Sequence, residues 1–241
     1  MSTDLSSAAP LTVRMGLIEK HADWTFERFS DHWRAWHGPL AAQVPGLRGY
    51  WQNVVTDREQ RGIAFARGPW NFDGFSQLWF DDKARADAGF TQGELAQRLI
   101  ADENHFIGKL HIITTAQHTV IAVPPLARRA RLLKRISILK RQPGLSEADF
   151  RREWVVHGEH VKKMPGVQGY RQNVVTDRER TKGMPCPYAD LPIDGIVEFW
   201  FTSTTSLDAA FASPAGQITM RHAGTFLSEI TTFLVEERRV V

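Results

Sequence analysis

Cysteine is nearly absent from this chain: Cys186 stands alone among 241 residues. No intrachain disulfide framework is possible, and no Cys/His spacing of the zinc kind occurs, so a reducing compartment and a cytoplasmic protein are expected. Cys186 lies in a Met-Pro-Cys-Pro-Tyr stretch with no basic residue close enough to activate it. Long apolar runs are also missing; none approaches the roughly 20 residues a membrane-spanning helix needs. Residues 1–10, MSTDLSSAAP, lack a basic stretch followed by an apolar one, which argues against a secretory signal and for a short disordered lead. Charge of one sign is scarce too. The net charge of +3 gives no footprint for nucleic acid. The densest basic cluster, Arg128, Arg129, Arg131, Lys134 and Arg135, falls at the expected linker, where a solvated connector or, less simply, an anion site is foreseen. There is no Gly-rich phosphate loop, no GxSxG elbow and no HExxH. His21, His105, His111 and His118 show no metal spacing, so no metal site is expected.

What is present is a repeat. Residues 45–59 read PGLRGYWQNVVTDRE and residues 165–179 read PGVQGYRQNVVTDRE, differing at three of fifteen positions. The match extends upstream, where Phe29, Trp33 and His37 answer Phe150, Trp154 and His157. It extends downstream from Asp73-Gly74 to Trp79-Phe80, which answer Asp194-Gly195 to Trp200-Phe201. The offset is 121 for Phe29/Phe150 and Trp33/Trp154, 120 from His37/His157 through the fifteen-residue segment, and 121 again from Asp73/Asp194, so the second copy has one residue fewer between Trp154 and His157. A period of this length is a duplicated domain rather than a solenoid unit. We assign the copies to residues 11–123 and 131–238, joined near Pro124-Pro125.

Each copy reads as βαββαβ. In the first, Thr12 to Lys20 is strand-like. Phe26, Phe29, Trp33, Trp36 and Leu40 form one helical stripe within Ala22 to Ala42, with Asp23 as the expected N-cap. Arg48 to Thr56, Phe75 to Phe80 and Lys109 to Val120 supply three further strands, and Asp82 to Ile100 a second helix. The second copy repeats this with strands at Leu132 to Arg141, Val167 to Thr176, Ile196 to Phe201 and Thr231 to Glu236, and helices at Ser146 to Lys162 and Ser206 to His222. A four-stranded sheet with both helices on one face leaves the other face bare. The second copy can cover it. The expected fold is therefore α+β: tandem ferredoxin-like domains forming a pseudo-dimeric barrel within one chain, with further homodimerisation left open. On the third strands, Leu78 and Phe80 alternate with Phe75, Gln77 and Trp79, and Val197, Phe199 and Phe201 with Ile196, Glu198 and Trp200. The all-apolar sets should lie under the helices and the others wall a pocket.

Candidate chemistry follows the repeat. His37 and His157 end the first helix of each copy. The helix dipole favours their cationic form and burial the neutral one, so titration near neutrality is open, as is simple capping of helix-end carbonyls. Tyr50 and Tyr170, two of only three tyrosines, could polarise a carbonyl or merely pack. Asn53 and Asn173 sit mid-strand, where asparagine is disfavoured and needs a partner, a ligand among the possibilities. Gln77 and Glu198 occupy equivalent positions; in an aromatic pocket the Glu198 pKa would rise, equipping it as an acid or base. Trp33, Trp79 and Trp200 are either core or a substrate platform. Asp57-Arg58-Glu59 and its copy read as solvated strand ends.

Phe29-x3-Trp33-x3-His37-x-Pro39-Leu40, then Pro45-Gly46-x2-Gly49-Tyr50-x2-Asn53, then Asp73-Gly74 and Trp79-Phe80, together resemble the EthD domain family of the dimeric α+β barrel superfamily. The resemblance covers nearly the whole chain, once per half. It implies a small-molecule enzyme from a group that includes lactone isomerases, cofactor-free anthrone-type monooxygenases, polyketide cyclases and haem-degrading enzymes. In the methylmuconolactone isomerases of that group, a histidine ending the first helix and a tyrosine early in the second strand belong to the active site. His37 with Tyr50, and His157 with Tyr170, match them. The active-site cysteine of those enzymes has no counterpart in Ser76-Gln77-Leu78 or Val197-Glu198-Phe199. The expectation is a cofactor-independent isomerase or lyase acting on an aromatic-derived or lactone-like compound, with the first copy the better match. A cofactor-free monooxygenase and a non-catalytic ligand- or haem-binding protein are the alternatives.

Overall fold

The computed structural model describes residues 11–241, and the polar lead expected to be disordered lies outside them. The first half runs β1 (Thr12–Lys20), α1 (Phe26–His32), a π-helical turn (Trp33–His37), α2 (Gly38–Ala41), β2 (Leu47–Asp57), β3 (Gly74–Phe80), α3 (Lys83–Thr91), α4 (Gly93–Phe106) and β4 (Ile107–Ile121). A short connector helix, α5 (Leu126–Arg129), leads to the second half. There follow β5 (Leu133–Arg141), α6 (Glu147–Val161), β6 (Gly169–Thr181), the short β7 (Met184–Pro185), β8 (Gly195–Phe201), α7 (Thr204–Ala212), α8 (Pro214–Phe226) and β9 (Leu227–Arg239).

The strands run β4-β1-β3-β2-β9-β5-β8-β6, and β4 also pairs with β6, which closes an eight-strand antiparallel barrel. Two seams join the halves: β2 with β9, and β4 with β6. The fourth strand of each half thus runs beside the second strand of the other, and the sheet has no free edge along these seams. The apolar face left bare within each half becomes the barrel interior, where Val13, Met15, Phe75, Ile136, Ile196 and Phe233 pack together. The opposite pleat faces the helices. Leu78 and Phe80 pack there with Ala86, Phe90 and Leu99, and Val197, Phe199 and Phe201 with Leu207 and Phe211, as the strand-3 alternation predicts.

Local chemistry explains several element ends. Thr25, not Asp23, caps α1, its hydroxyl accepting from Arg28 N–H at 3.2 Å. Ser146 caps α6, accepting from Asp149 N–H at 3.1 Å. The single helix expected after β3 is two in each half. Gln92 is extended and Gly93 has φ +81°, which breaks the first; extended Ser213 before Pro214 breaks the second.

The one-residue offset between the copies also has a structural answer. The second copy keeps a regular α-helix from Glu147 to Val161, whereas the first takes up its extra residue as the π-helical turn Trp33–His37. One added residue in a helix otherwise rotates everything beyond it by about 100°; a π turn absorbs it and keeps both flanking faces in register. His37 and His157 therefore remain equivalently buried, at 7% and 8% exposure.

The repeated Asp-Gly pairs set the strand-3 entrance. Asp73 accepts from Lys20 N–H at 2.9 Å, and Asp194 from Arg141 N–H at 2.8 Å. The indole of Trp33 lies on Gly74 and that of Trp154 on Gly195, so close that a Cβ at either position would overlap the ring. Gly74→Ala is expected to destabilise the protein by about 1–3 kcal/mol through this overpacking. Gly224→Ala, in α8 with open space at its Cβ, should instead stabilise by about 0.5–1 kcal/mol. Urea melts of the two variants check both signs.

Candidate active site

The pleat of β2 sorts the candidate residues. Tyr50 and Gln52 face the helices, whereas Asn53, an odd number of positions from Tyr50, faces the barrel interior. The eleven candidates therefore occupy three places rather than one pocket per half. Trp33, His37 and Tyr50 meet between helices and sheet in the first half. His157 and Tyr170 meet equivalently in the second. Asn53, Gln77, Trp79, Asn173, Glu198 and Trp200 belong to the barrel.

In the first half the Tyr50 oxygen accepts from Trp33 Nε1–H at 3.0 Å and from Gln52 Nε2–H at 3.2 Å. With both acceptor positions used, its own O–H is left to donate into the pocket. Burial holds the phenol far above its ordinary pKa, so it stays neutral, a donor rather than a base. His37 Nδ1 lies 2.8 Å from Asp102 Oδ2, and His32 Nε2 lies 2.8 Å from Asp102 Oδ1. Burial pushes the Asp102 carboxyl up, but the hydrogen bonds from His37 and His32 outweigh it and hold the group below the usual carboxylate range. An ionised Asp102 fixes the proton of His37 on Nδ1 and leaves Nε2 as the ring's other functional atom. Glu103 Oε1 is 3.8 Å from that nitrogen.

The second half completes this pocket. Lys182, beyond β6, places Nζ 2.7 Å from Glu103 Oε1. Glu179, on β6, accepts two hydrogen bonds from Arg14 at 2.7 and 2.8 Å. The expectation that the second Asp-Arg-Glu is a solvated strand end therefore fails at Glu179, which is 5% exposed. The cavity is about 40 Å³, enough for water-sized occupants as it stands.

In the second half Tyr170 accepts from Trp154 Nε1–H and Gln172 Nε2–H, both at 3.2 Å, and burial pushes its pKa up to about 12. The histidine differs. His222 stands where the first half has Asp102, with Nδ1 atoms of His157 and His222 3.3 Å apart. Burial, then the neighbouring His222 and His160, pull His157 down to about 3. The expected balance near neutrality does not hold for His157: desolvation wins, because among the described residues no carboxylate meets its ring nitrogens.

Inside the barrel most of the predicted polar groups bond to one another, while Gln77 Nε2 and Trp200 Nε1 are buried without a partner among the described residues. Lys134 Nζ lies 2.7 Å from Glu198 Oε2, 2.8 Å from Glu237 Oε1 and 2.8 Å from Asn53 Oδ1. Asn53 donates to Phe75 O and Gln77 Oε1, and Asn173 to Ile196 O and Glu198 Oε1. The Lys134 ammonium also lies 5.0 Å from the Trp200 ring centre. Trp79, at the barrel mouth, reaches Gln117 Oε1 at 3.4 Å. The expected rise in the Glu198 pKa is reversed. Burial pushes it up, but Lys134 and Arg171 outweigh burial and the carboxyl sits at about 2. Lys134 and Arg135 are likewise not part of a solvated connector, being 1% and 2% exposed on β5.

Sequence reasoning missed Gln52, Asp102, Glu103, Arg14 and Lys182. Gln52 could have been found, since it sits inside the repeated QNVV segment and shares the Tyr50 face. Asp102 could not, because its counterpart is a histidine, and Lys182 reaches the pocket from the other half.

A closed antiparallel barrel of two fused α+β halves, each with a pocket between helices and sheet, defines a dimeric α+β barrel protein in a single chain. The chain belongs to the EthD domain family, which it matches twice, over residues 21–109 and 142–229. It is similar to a 4-carboxymethyl-4-methylbutenolide mutase from Pseudomonas reinekei, at 27% identity over 107 residues, covering 44% of this chain and 98% of that protein. Among solved structures it is similar in fold to an anthrone oxidase-like protein, with TM-score 0.64, 10% identity and coverage of 96% and 93% of the two chains. A candidate monooxygenase from Fusobacterium nucleatum gives TM-score 0.60 and 8% identity over 96% and 94%. No helix of the described residues is long and apolar enough to cross a membrane.

Proposed function

We propose that the pocket of the first half is the catalytic centre of a cofactor-independent isomerase that moves a proton on a compact, lactone-like substrate. One observation carries this reading: His37, oriented by Asp102 at 2.8 Å, shares a pocket with the Tyr50 hydroxyl, whose proton is free to be donated. His37 Nε2 takes a proton from a carbon next to the substrate carbonyl. Asp102 stabilises the imidazolium that results, and Tyr50 donates to the oxygen on which negative charge develops. Return of the proton at another position completes an isomerisation with no net change in atoms or electrons. Apolar walls from Ile18, Leu78, Phe90 and Leu110 keep water from the intermediate. The butenolide mutase relative supports the choice of a lactone. A ring of that size needs more than the 40 Å³ present, so binding displaces side chains at the pocket wall, Lys182 foremost because it stands on a short hairpin.

The test is turnover of a panel of substituted butenolides and muconolactones, followed by mass spectrometry and by deuterium uptake from solvent, with oxygen consumption recorded. Isomerisation with solvent deuterium entering the product, and no oxygen used, is the expected result. Stoichiometric oxygen uptake would replace this reading by a cofactor-free monooxygenase. Absence of turnover across the panel, with the protein folded, would overturn the lactone assignment.

A further inference from the structure

Arg14 and Arg135 hold equivalent places, 121 residues apart, on the helix-facing side of the first strand of each half. Each guanidinium lies over a phenylalanine, Arg14 at 5.3 Å from Phe90 and Arg135 at 4.7 Å from Phe211. Their electrostatic surroundings are not equivalent. Arg14 is neutralised by Glu179 through two short hydrogen bonds and approaches Asp87 at 3.4 Å. The counterpart of Glu179 is Glu59, which turns away. Its side chain is 71% exposed and pairs with Arg61 at 2.9 Å. Asp208, the counterpart of Asp87, is exposed.

Arg135 is left alone. Among the described residues its one hydrogen bond runs from Nη1 to the Arg61 carbonyl at 3.0 Å. Its Nε is buried without a partner. The side chain is nonetheless 2% exposed. A buried guanidinium is ordinarily paired, because an uncompensated charge away from water is costly. Burial lowers its pKa to about 9, Asp208 opposing weakly, which leaves it cationic at neutral pH. The Nε–Nη2 edge, the side of the fork suited to both oxygens of one carboxylate, has no partner among the described residues. This side chain lines the second pocket, with Ser137 beside it and walls from Leu139, Phe199, Met220 and Ile230. The cavity is about 30 Å³, room for water-sized occupants as it stands, so an organic anion enters by displacing wall side chains, as in the first half.

We propose that the pocket of the second half binds a short apolar monocarboxylate, with the Nε–Nη2 edge of Arg135 taking the carboxylate and the aliphatic walls taking the hydrocarbon tail. This goes beyond the proton-transfer reading, which concerns the other half and a different set of side chains. The duplication would then have separated a proton-moving pocket, whose arginine is already paired, from an anion-binding one.

Butyrate and its uncharged counterpart butyramide are the probes, titrated into protein with methyl-labelled methionine and followed by NMR. Met220 lines this pocket, and its resonance is identified by Met220→Leu. Butyrate is expected to shift the Met220 signal saturably and to bind at least about tenfold more tightly than butyramide. Arg135→Met is expected to abolish that preference and Arg135→Lys to retain part of it. Equal affinity for acid and amide, a saturable shift confined to other methionines, or no saturable shift would each overturn the proposal. The acid–amide comparison uses wild-type protein, so it decides the matter even if Arg135→Met fails to fold. The titration involves no turnover, so its failure would leave the His37 reading standing.

Discussion

His37→Ala is expected to lower kcat on an isomerised lactone by about 10²–10⁴-fold, the usual contribution of a positioned general acid–base. The loss should fall on kcat rather than KM, because His37 acts on the proton in flight while the apolar walls hold the substrate. Asp102→Asn should also be slow, since an amide in place of the carboxylate removes the charge that stabilises the imidazolium and can select the wrong tautomer. Tyr50→Phe removes the donor to the developing oxyanion; the loss of one such donor elsewhere costs about 10²–10³-fold. His157→Ala should leave the rate essentially unchanged. His157 faces His222 instead of a carboxylate, and burial holds its pKa at about 3. Steady-state kinetics on the four variants, with circular dichroism to confirm folding, distinguishes the halves. Equal rates for wild type and His37→Ala would sink the proposed chemistry, and a large loss in His157→Ala would move it to the other pocket.

Lys134→Met is expected to cost about 3–5 kcal/mol of stability, read from urea denaturation, because it strands the fully buried Glu198 and leaves Glu237 with Arg129 alone. Lys134→Met/Glu198→Gln should recover a substantial part, since the double change removes both halves of the closest pair. The same network sets an acid limit. The Glu198 carboxyl lies at about 2 when folded, against 4.5 for the free side chain. A depressed carboxylate contributes stability that is fully present above pH 4.5 and is lost as pH falls towards 2. The contribution at stake is roughly 3 kcal/mol. Stability that stays flat from pH 5 to pH 2.5 in wild type, or acid sensitivity unchanged in Glu198→Gln, would contradict this account.

Much of the architecture could be read from the chain. The near-identity of residues 45–59 and 165–179 shows the duplication, and the period-2 alternation at Leu78–Phe80 and Val197–Phe201 assigns the helix-facing pleat correctly. The candidate site was legible only in part. His37, Trp33 and Tyr50 were found because they recur with the repeat and meet at one pocket. Asn53, an odd number of positions from Tyr50, lies on the opposite pleat, a separation already visible in the spacing. The roles of Lys134, Arg135 and Glu179 were not legible at all, because a charged residue at a strand end looks the same whether it meets water or another half of the molecule. The second-half histidine shows the same limit. His157 repeats His37, yet it faces His222 where His37 faces Asp102, in each case 65 residues further along the chain.

The sequence by itself determined the duplicated βαββαβ order, the apolar faces, and the helix-ending histidines and strand tyrosines. These depend on local periodicity and on repetition, which a linear chain displays openly. Only the tertiary structure decided which pleat each polar residue occupies relative to the pockets, that an extra residue becomes a π turn rather than a rotated helix, and which buried charges are paired. Those outcomes depend on long-range distances within a low-dielectric interior, where a carboxylate at 2.8 Å orients its partner and its absence leaves a buried group without a counter-charge.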